Sequence, residues 1–138
     1  NPYTGALKAS VCELEKGFAR TELKDRRGVR NHLNSIHAIA LTNLGEYTSG
    51  LALVTLFSEN MQGIPIEINI EFFKKARGVL TAQCTTQLPR SLSGSLSEPS
   101  DNIDVEHIVV ADINDAENAL VARAKVRWKL SFRKEEER

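Results

Sequence analysis

The chain of 138 residues is 41% hydrophobic, 26% charged and 6% aromatic, which fits one compact domain and argues against a multidomain protein. Its 18 basic residues balance 18 acidic ones, so nonspecific binding to nucleic acid or to an anionic membrane is not expected. Two cysteines are too few for a disulfide scaffold and three histidines form no zinc motif, so we expect no metal or redox cofactor.

The amino-terminal segment predicts a soluble protein that begins with a β-hairpin. The printed sequence opens on Asn1-Pro2 without a basic and apolar leader, so a cytoplasmic location is expected, or an organelle matrix if a targeting segment has been removed. Leu7–Glu15 and Phe18–Lys24 are compatible with strands, and Lys16-Gly17 between them is a turn signal.

A long helix is predicted from Ile36 or His37 to about Phe57, with Asn34 and Ser35 as candidate capping residues. This window is the most apolar of the chain, but it contains charged and amide side chains that lipid would disfavour. We therefore expect a helix buried in protein and no membrane span. Its many small residues allow other backbones to approach it closely.

Four strands are predicted after the helix. Ile64–Phe72 alternates strictly, with its isoleucines and Phe72 on one face and polar residues on the other. The other predicted elements are strands at Val79–Leu88, Ile103–Ile113 and Ala119–Phe132, a connecting loop at Pro89–Asn102, a turn at Asn114-Asp115 and a solvated tail at Lys134–Arg138. No crossover helices separate these strands, so we predict an α+β domain over residues 1–138, in which one antiparallel sheet curls around one helix.

Glu46 is the most informative residue of the predicted helix, because a carboxylate is rarely buried without a partner. Two interpretations follow from its position. Glu46 lies either on a narrow exposed stripe with Asn43 and Ser49 or Gly50, or in a site that uses its charge.

The residues before the helix favour the second interpretation. Asn31 is followed six residues later by His37, and Glu46 comes nine residues after His37, within the string N-H-L-N-S-I-H-A-I-A-L-x-N-L-G-E-x-x-S-G-L-A. This spacing resembles that of the phenylacetate-degradation type of hotdog acyl-CoA thioesterases, and the full string resembles an uncharacterised subgroup of that superfamily. The resemblance spans about Thr4 to Phe132 and implies a hotdog fold, a long helix wrapped by a six-stranded antiparallel sheet.

The resemblance also implies roles for these residues in the hydrolysis of an acyl-CoA or an acyl-carrier-protein thioester. Glu46 would activate water or attack the thioester, and the backbone amide of Ala38 would donate to the oxyanion. Asn31 would position the water, and His37 would brace the loop. Considered alone, a His at a helix entry is more often a capping or loop-bracing residue than an acid or base, and an Asn such as Asn31 commonly closes a turn. The family further implies a homodimer or homotetramer, with each site shared between two subunits.

Basic residues end the strand at Ile64–Phe72. Lys74, Lys75 and Arg77, with Gly78 after them, are candidates for binding the phosphates of coenzyme A through charge-assisted hydrogen bonds. A solvated strand end is the alternative.

Three departures from the family pattern leave a second function open. Ala38-Ile39 replaces two glycines, Pro65 stands where some members have a hydroxyl, and Lys75 takes the place of a proline. The alternative is a noncatalytic module that binds acyl ligands or takes part in an assembly. A hotdog dehydratase is less favoured, because its D-x-N-P-x-H arrangement does not occur.

Overall fold

A computed structural model describes residues 2–93 and 104–132 of the chain. The order of elements is α1 (Pro2–Leu7), β1 (Ser10–Glu15), β2 (Phe18–Leu23), α2 (Ala38–Val54), β3 (Met61–Phe72), β4 (Leu80–Thr85), α3 (Arg90–Ser93), β5 (Asp104–Asn114) and β6 (Leu120–Phe132), with a 3₁₀ turn at Arg27–Val29. The predicted order of two strands, a long helix and four strands is confirmed.

The strands form one six-stranded sheet in the order β1-β2-β4-β5-β6-β3, with every neighbouring pair antiparallel. Helix α2 contacts all six strands. The sheet therefore wraps one helix, as predicted, and β1 and β3 are its edges. The hairpin turn lies where the sequence indicated it, at Gly17, whose φ of +78° suits a residue without a Cβ.

The core lies between α2 and the inner face of the sheet. In β6 the inward residues Ala124, Val126 and Leu130 are fully buried, while Lys125 and Lys129 are exposed on the outer face. The alternation predicted for this strand is confirmed, because only one face of the sheet meets the helix. The principal core residues between α2 and the sheet are Leu23, Leu44, Leu53, Leu80, Val109, Ile113, Val126 and Leu130.

At Gly45, helix α2 lies too close to the sheet to carry a side chain. A methyl group at this position would lie 2.5 Å from the Cβ of Ala124 on β6, which is shorter than two carbon atoms tolerate. The missing side chain therefore sets how deeply the middle of the helix sits in the sheet, and Glu46 is the next residue.

The strict alternation predicted for β3 is wrong, because a bulge interrupts it. Pro65 pairs with Trp128 and Glu67 pairs with Arg127, so Ile66 is an extra residue without a partner on β6. The inner face therefore carries Pro65 before the bulge and Ile68 after it. Ile64, which pairs with exposed Lys129, lies on the outer face and not with Ile68.

Several element boundaries also differ from the prediction. Residues 2–7 form helix α1, so β1 begins at Ser10 and not at Leu7. The guanidinium of Arg26 donates to the carbonyl oxygens of Ala6 at 2.8 Å and Leu7 at 3.2 Å, which satisfies the carboxyl end of this short helix. The predicted loop at Pro89–Asn102 begins with α3, while its remainder and the predicted tail lie outside the described residues.

Candidate functional site

The loop before α2 is organised by Asn31. Its Oδ1 accepts hydrogen bonds from the amide of Leu33 at 2.9 Å and from the amide and hydroxyl of Ser35, both at 3.2 Å. The amide of Asn31 donates to the carbonyl oxygen of Ser35 at 2.7 Å. Three donors therefore fix the Asn31 carbonyl oxygen inside the loop, and the side chain shapes the entry to the helix.

His37 is the N-cap of α2. Its Nδ1 accepts a hydrogen bond from the amide of Ile39 at 3.0 Å, and its own amide donates to the carbonyl oxygen of Val29 at 2.7 Å. The prediction of Asn34 or Ser35 as the cap is wrong. Asn34 occupies the left-handed region at φ 61°, and the Ser35 hydroxyl donates to Asn31, so neither reaches the first turn of the helix.

The amide of Ala38 is the first of α2 and lies at the surface. It makes no hydrogen bond to any residue that the structure describes. An unpaired amide at the positive end of a long helix is a good donor for a developing negative charge. The His37 ring occupies the next amide, that of Ile39, and leaves the Ala38 amide available.

Glu46 lies half-buried in an open groove of about 340 Å³ between α2 and β3. The groove is lined by Tyr3, Thr4, Ile39, Thr42, Asn43, Glu46, Pro65 and Ile68. Within the described part of the chain Glu46 forms no ion pair, and burial raises the pKa of its carboxyl group. A solvent-accessible carboxylate in apolar surroundings is suited to act as a base.

The alternative interpretation of Glu46 as part of an exposed helix stripe fits only in part. Asn43 does share the groove with Glu46. Ser49, however, is fully buried and donates to the carbonyl oxygen of Glu46 at 2.8 Å, and Gly50 lies against Trp128. The polar stripe therefore ends at Glu46.

A second hollow of about 280 Å³ continues along the same face of α2 toward His37 and Arg30. Tyr3, Ile39 and Asn43 line both hollows. One face of the helix is thus accessible from its amino-terminal turn to Glu46.

The structure does not bring Ala38 and Glu46 together within one chain. Both belong to α2, and eight residues of an α-helix correspond to about 12 Å along its axis. One carbonyl group cannot contact both within a single protomer.

The predicted phosphate-binding residues follow β3, in a segment that contacts the helix-entry region through Ala76. The carbonyl oxygen of Ala76 accepts from the amide of Ile36 at 2.8 Å, which places Lys75 and Arg77 beside that region. Both side chains are exposed and form no ion pair with a described residue. Lys74 points elsewhere, since its Nζ lies 2.6 Å from Oδ2 of buried Asp115.

Gly78 connects the segment after β3 to the segment before α2 through a hydrogen bond to Asp25. Its amide donates to Asp25 Oδ2 at 2.8 Å, and Arg30 donates to Asp25 Oδ1 at 2.7 Å. The Arg30 hydrogen bond is the main reason why the pKa of Asp25 is lowered. The segment after β3 is therefore tied to the segment before α2.

Sequence reasoning missed most of the groove wall. Tyr3 and Thr4 belong to α1, a helix that the sequence did not predict, and Ile68 faces the groove only because of the bulge at Ile66. Ile39, Thr42, Asn43 and Glu46 follow helical spacing, and this signal was available in the sequence. Pro65 lies in the groove and brings no hydroxyl there.

The described residues provide neither a metal-binding cluster nor a membrane-spanning helix. No three His, Cys, Asp or Glu side chains in the ranges 2–93 and 104–132 are grouped as a metal site. None of the helices within these ranges has the length and hydropathy needed to span a membrane.

Solved structures with the same fold include several thioesterases. A thioesterase from Staphylococcus aureus is 15% identical with a TM-score of 0.77, over 94% of this chain and 98% of that chain. A probable thioesterase of unknown function from Pseudomonas aeruginosa is 20% identical with a TM-score of 0.81, over 96% and 89%. A hypothetical thioesterase from Streptococcus pneumoniae, solved with coenzyme A, is 17% identical with a TM-score of 0.72, over 93% and 89%.

These likenesses establish the fold, a hotdog, and agree with the strand order and the central helix described above. The comparison with curated proteins found no match. A family model described as a domain of unknown function, DUF4442, matches residues 1–130. The chain is therefore a hotdog-fold protein that belongs to the DUF4442 family.

Proposed function

We propose that this protein hydrolyses an acyl thioester of coenzyme A or of an acyl carrier protein. The observation that carries the proposal is Glu46, a carboxylate with no ion-pair partner among the described residues, in a mostly apolar groove that opens to solvent. The thioesterases that share the fold support the reaction class at the level of the fold.

The reaction needs a base that activates water next to the carbonyl carbon and a donor that faces the carbonyl oxygen. Glu46 takes a proton from water as the water oxygen bonds to the carbonyl carbon, and the Ala38 amide donates to the oxygen that becomes negative. The carbon–sulfur bond then breaks, and the thiolate receives the proton held by Glu46. The products are a carboxylic acid and a free thiol.

A second subunit supplies the Ala38 amide in this proposal, because one protomer separates it from Glu46 by about 12 Å along the helix axis. Strand β3 supports such a homodimer. It is an edge strand of 12 residues, and its apolar side chains Ile64, Ile66 and Ile68 are 58%, 41% and 41% exposed. A long apolar edge strand is suited to pair with a second copy of itself.

The helix-entry region completes the proposed site. Asn31 and His37 hold the loop that presents the Ala38 amide, and Asn31 retains its side-chain NH₂ group for a water molecule. Lys75 and Arg77 receive the coenzyme A phosphates, with Gly78 holding their segment against Asp25. Lys74 contributes less to binding, because Asp115 already engages its ammonium group.

The test is hydrolysis of a panel of acyl-CoA esters, followed as released thiol. We expect Glu46→Gln to fold normally and to lower kcat by about 10²-fold or more, since shape is retained and the base is lost. Glu59→Gln, at an exposed glutamate between α2 and β3, is the matched control and should leave kcat unchanged. Equal activity of wild type and Glu46→Gln would exclude Glu46 from the mechanism.

The assay requires the Cys12→Ser background, because Cys12 is exposed and would itself react with a thiol reagent. Cys84 needs no such change. Burial raises the pKa of its thiol to about 12, which leaves almost no reactive thiolate at neutral pH.

A noncatalytic acyl-binding module is the second candidate, favoured by Pro65, which brings no hydroxyl to the groove. It predicts saturable binding of acyl-CoA without release of thiol by wild type. Turnover that depends on Glu46 would exclude it.

A further inference from the structure

The groove that contains Glu46 is closed one helical turn beyond this residue. Gly50 follows Glu46 by one turn on the same side of α2, and the ring of Trp128 lies directly over it. A methyl group at position 50 would be 3.2 Å from Cη2 and 3.3 Å from Cζ2 of Trp128.

The strand side of the groove is closed by the same ring. Pro65, which lines the groove, is the β6 pairing partner of Trp128, so both lie on the inner face of neighbouring strands. Trp128 therefore fills the space between α2 and β3 where the groove would otherwise continue. Its exposed fraction is only 6%.

A second ring lies behind the first. At Gly63, two residues before Pro65, a methyl group would lie 3.0 Å from Leu130 Cδ2 and 3.1 Å from Phe57 Cζ. Each aromatic ring thus fits because the residue that it faces is a glycine, and both rings belong to one hydrophobic cluster.

We propose that Trp128 limits the length of the acyl group that this site accepts, and that the substrates are short-chain acyl thioesters. This inference rests on the proposed function, since it takes Glu46 to mark the position of the thioester carbonyl and the open side of the groove, toward His37, to receive the coenzyme A part of the substrate. The four residues from Glu46 to Gly50 span about 6 Å along the helix, which accommodates roughly four to six acyl carbon atoms before the ring is reached.

The indole ring suits this role by its reach. The two atoms that meet Gly50 belong to the outer six-membered ring, and a phenylalanine at position 128 would end short of them. The indole Nε1 is buried and has no acceptor among the described residues, so Phe would also remove an unsatisfied donor. Trp128→Phe is therefore expected to fold and to lengthen the groove.

The first experiment leaves Trp128 unchanged. Affinities of saturated acyl-CoA esters from two to twelve carbons are measured by calorimetry on Glu46→Gln, where hydrolysis is slowed, and kcat/KM is measured on wild type. Each methylene that becomes buried is worth about fourfold in affinity. We expect affinity to rise up to about six carbons and to rise no further beyond that. A continued rise through twelve carbons would overturn the proposal without any change at Trp128.

The second experiment compares Trp128→Phe with Phe132→Leu, a change at a half-buried aromatic residue that packs in the same cluster away from the groove. Trp128→Phe should move the plateau by about two carbons and improve the affinity for the longer esters about 15-fold. Phe132→Leu should leave the plateau unchanged. An equal change for all chain lengths in Trp128→Phe would also overturn the proposal.

Failure of the proposed hydrolysis gives a different result. If no ester is hydrolysed but the binding plateau lies near six carbons and moves in Trp128→Phe, the length limit stands and the hydrolase assignment is wrong. If Glu46-dependent hydrolysis occurs but affinity shows no plateau with chain length, the hydrolase assignment stands and the length limit is wrong.

Discussion

Glu46 combines two properties that oppose each other at the level of a single residue. Burial in the groove raises the pKa of its carboxyl group, so the charged form is less stable in the folded protein than in water. The same desolvation makes the carboxylate a stronger base than an exposed glutamate. The chain thus accepts a loss of folding free energy at the position where the proposed chemistry needs a proton acceptor.

The raised pKa of Glu46 predicts the pH dependence of hydrolysis. Only the ionised carboxylate accepts a proton, so kcat/KM should fall about tenfold per pH unit below the pKa of Glu46. This acid limb should lie above the ordinary glutamate value of 4.5. The measurement is kcat/KM from pH 4 to pH 8 with a short acyl-CoA. The residual activity of Glu46→Gln should lack the limb, and the same limb in that variant would assign it to another group.

The same shift predicts how Glu46 affects stability. Because its pKa is raised on folding, the folded chain binds the proton more tightly than the unfolded chain, and stability falls as pH rises through this pKa. Glu46→Gln should therefore raise Tm at pH 7, and the gain should disappear below the ordinary pKa of 4.5. Thermal unfolding at both pH values, with Glu59→Gln as the control, measures this. A gain that is independent of pH would exclude ionisation as its cause.

At the scale of elements, the segment after β3 separates a structural lysine from two available cations. Lys74 is bound to Asp115, whose Oδ1 also accepts from the amides of Glu117 at 3.1 Å and Ala119 at 2.9 Å in the β5–β6 turn. Lys75 and Arg77 have no such partner among the described residues.

This difference predicts distinct kinetic effects of three alanine variants. Lys75→Ala and Arg77→Ala should raise KM for acyl-CoA severalfold and leave hydrolysis of the matching pantetheine thioester unchanged, since only coenzyme A carries the nucleotide phosphates. Lys74→Ala should leave the KM of both substrates unchanged. Equal effects of Lys75→Ala or Arg77→Ala on both substrates would indicate that these residues act through folding.

Elements that bury one face against α2 could be predicted from the sequence, and elements defined by tertiary contacts could not. Strand β6 alternates because its inner face is buried from Ala122 to Leu130. Strand β3 has the clearer alternation in sequence, but the bulge at Ile66 reverses its inner face, and no residue type announces that bulge. Helix α1 is too short to show a helical period, and its carboxyl end is satisfied by Arg26, a distant residue.

The same division applies to the candidate site. Glu46 and Asn43 could be assigned to one side of α2 from helical spacing, and His37 could be assigned to the start of the helix. Ser35, in contrast, has the chemistry of a cap but gives its hydroxyl to Asn31, a pairing that only the folded loop defines. Residues on one regular element are predictable in this way, and surfaces built from several elements are not.

At the scale of the whole molecule, the shared site predicts that two inactive variants complement each other. Glu46→Gln lacks the base, and a bulky replacement of Ala38 blocks the oxyanion amide. In a mixed dimer one site carries both lesions and the other carries neither. Statistical exchange makes about half of the dimers mixed, so activity should recover to about a quarter of wild type.

Subunit exchange in that experiment is verified by mass spectrometry of differently tagged chains. Each variant alone, at the same total concentration, is the control. If mixed dimers form and no activity returns, the two residues do not act in a shared site.

The close contact at Gly45 fixes the middle of α2 against the sheet. The helix runs over Ala38–Val54, and at residue 45, near its middle, Ala124 leaves no room for a side chain. Its carboxyl-terminal half is also held, since Thr48, Ala52 and Leu53 are fully buried, whereas its first turn is exposed. Thermal motion of the helix should therefore grow toward its amino-terminal end. Glu46 is adjacent to the contact at Gly45, while Ala38 lies about 10 Å from Gly45 along the helix axis. Tilting of the helix would therefore move the Ala38 amide toward or away from a bound substrate, while the Glu46 carboxylate stays in place.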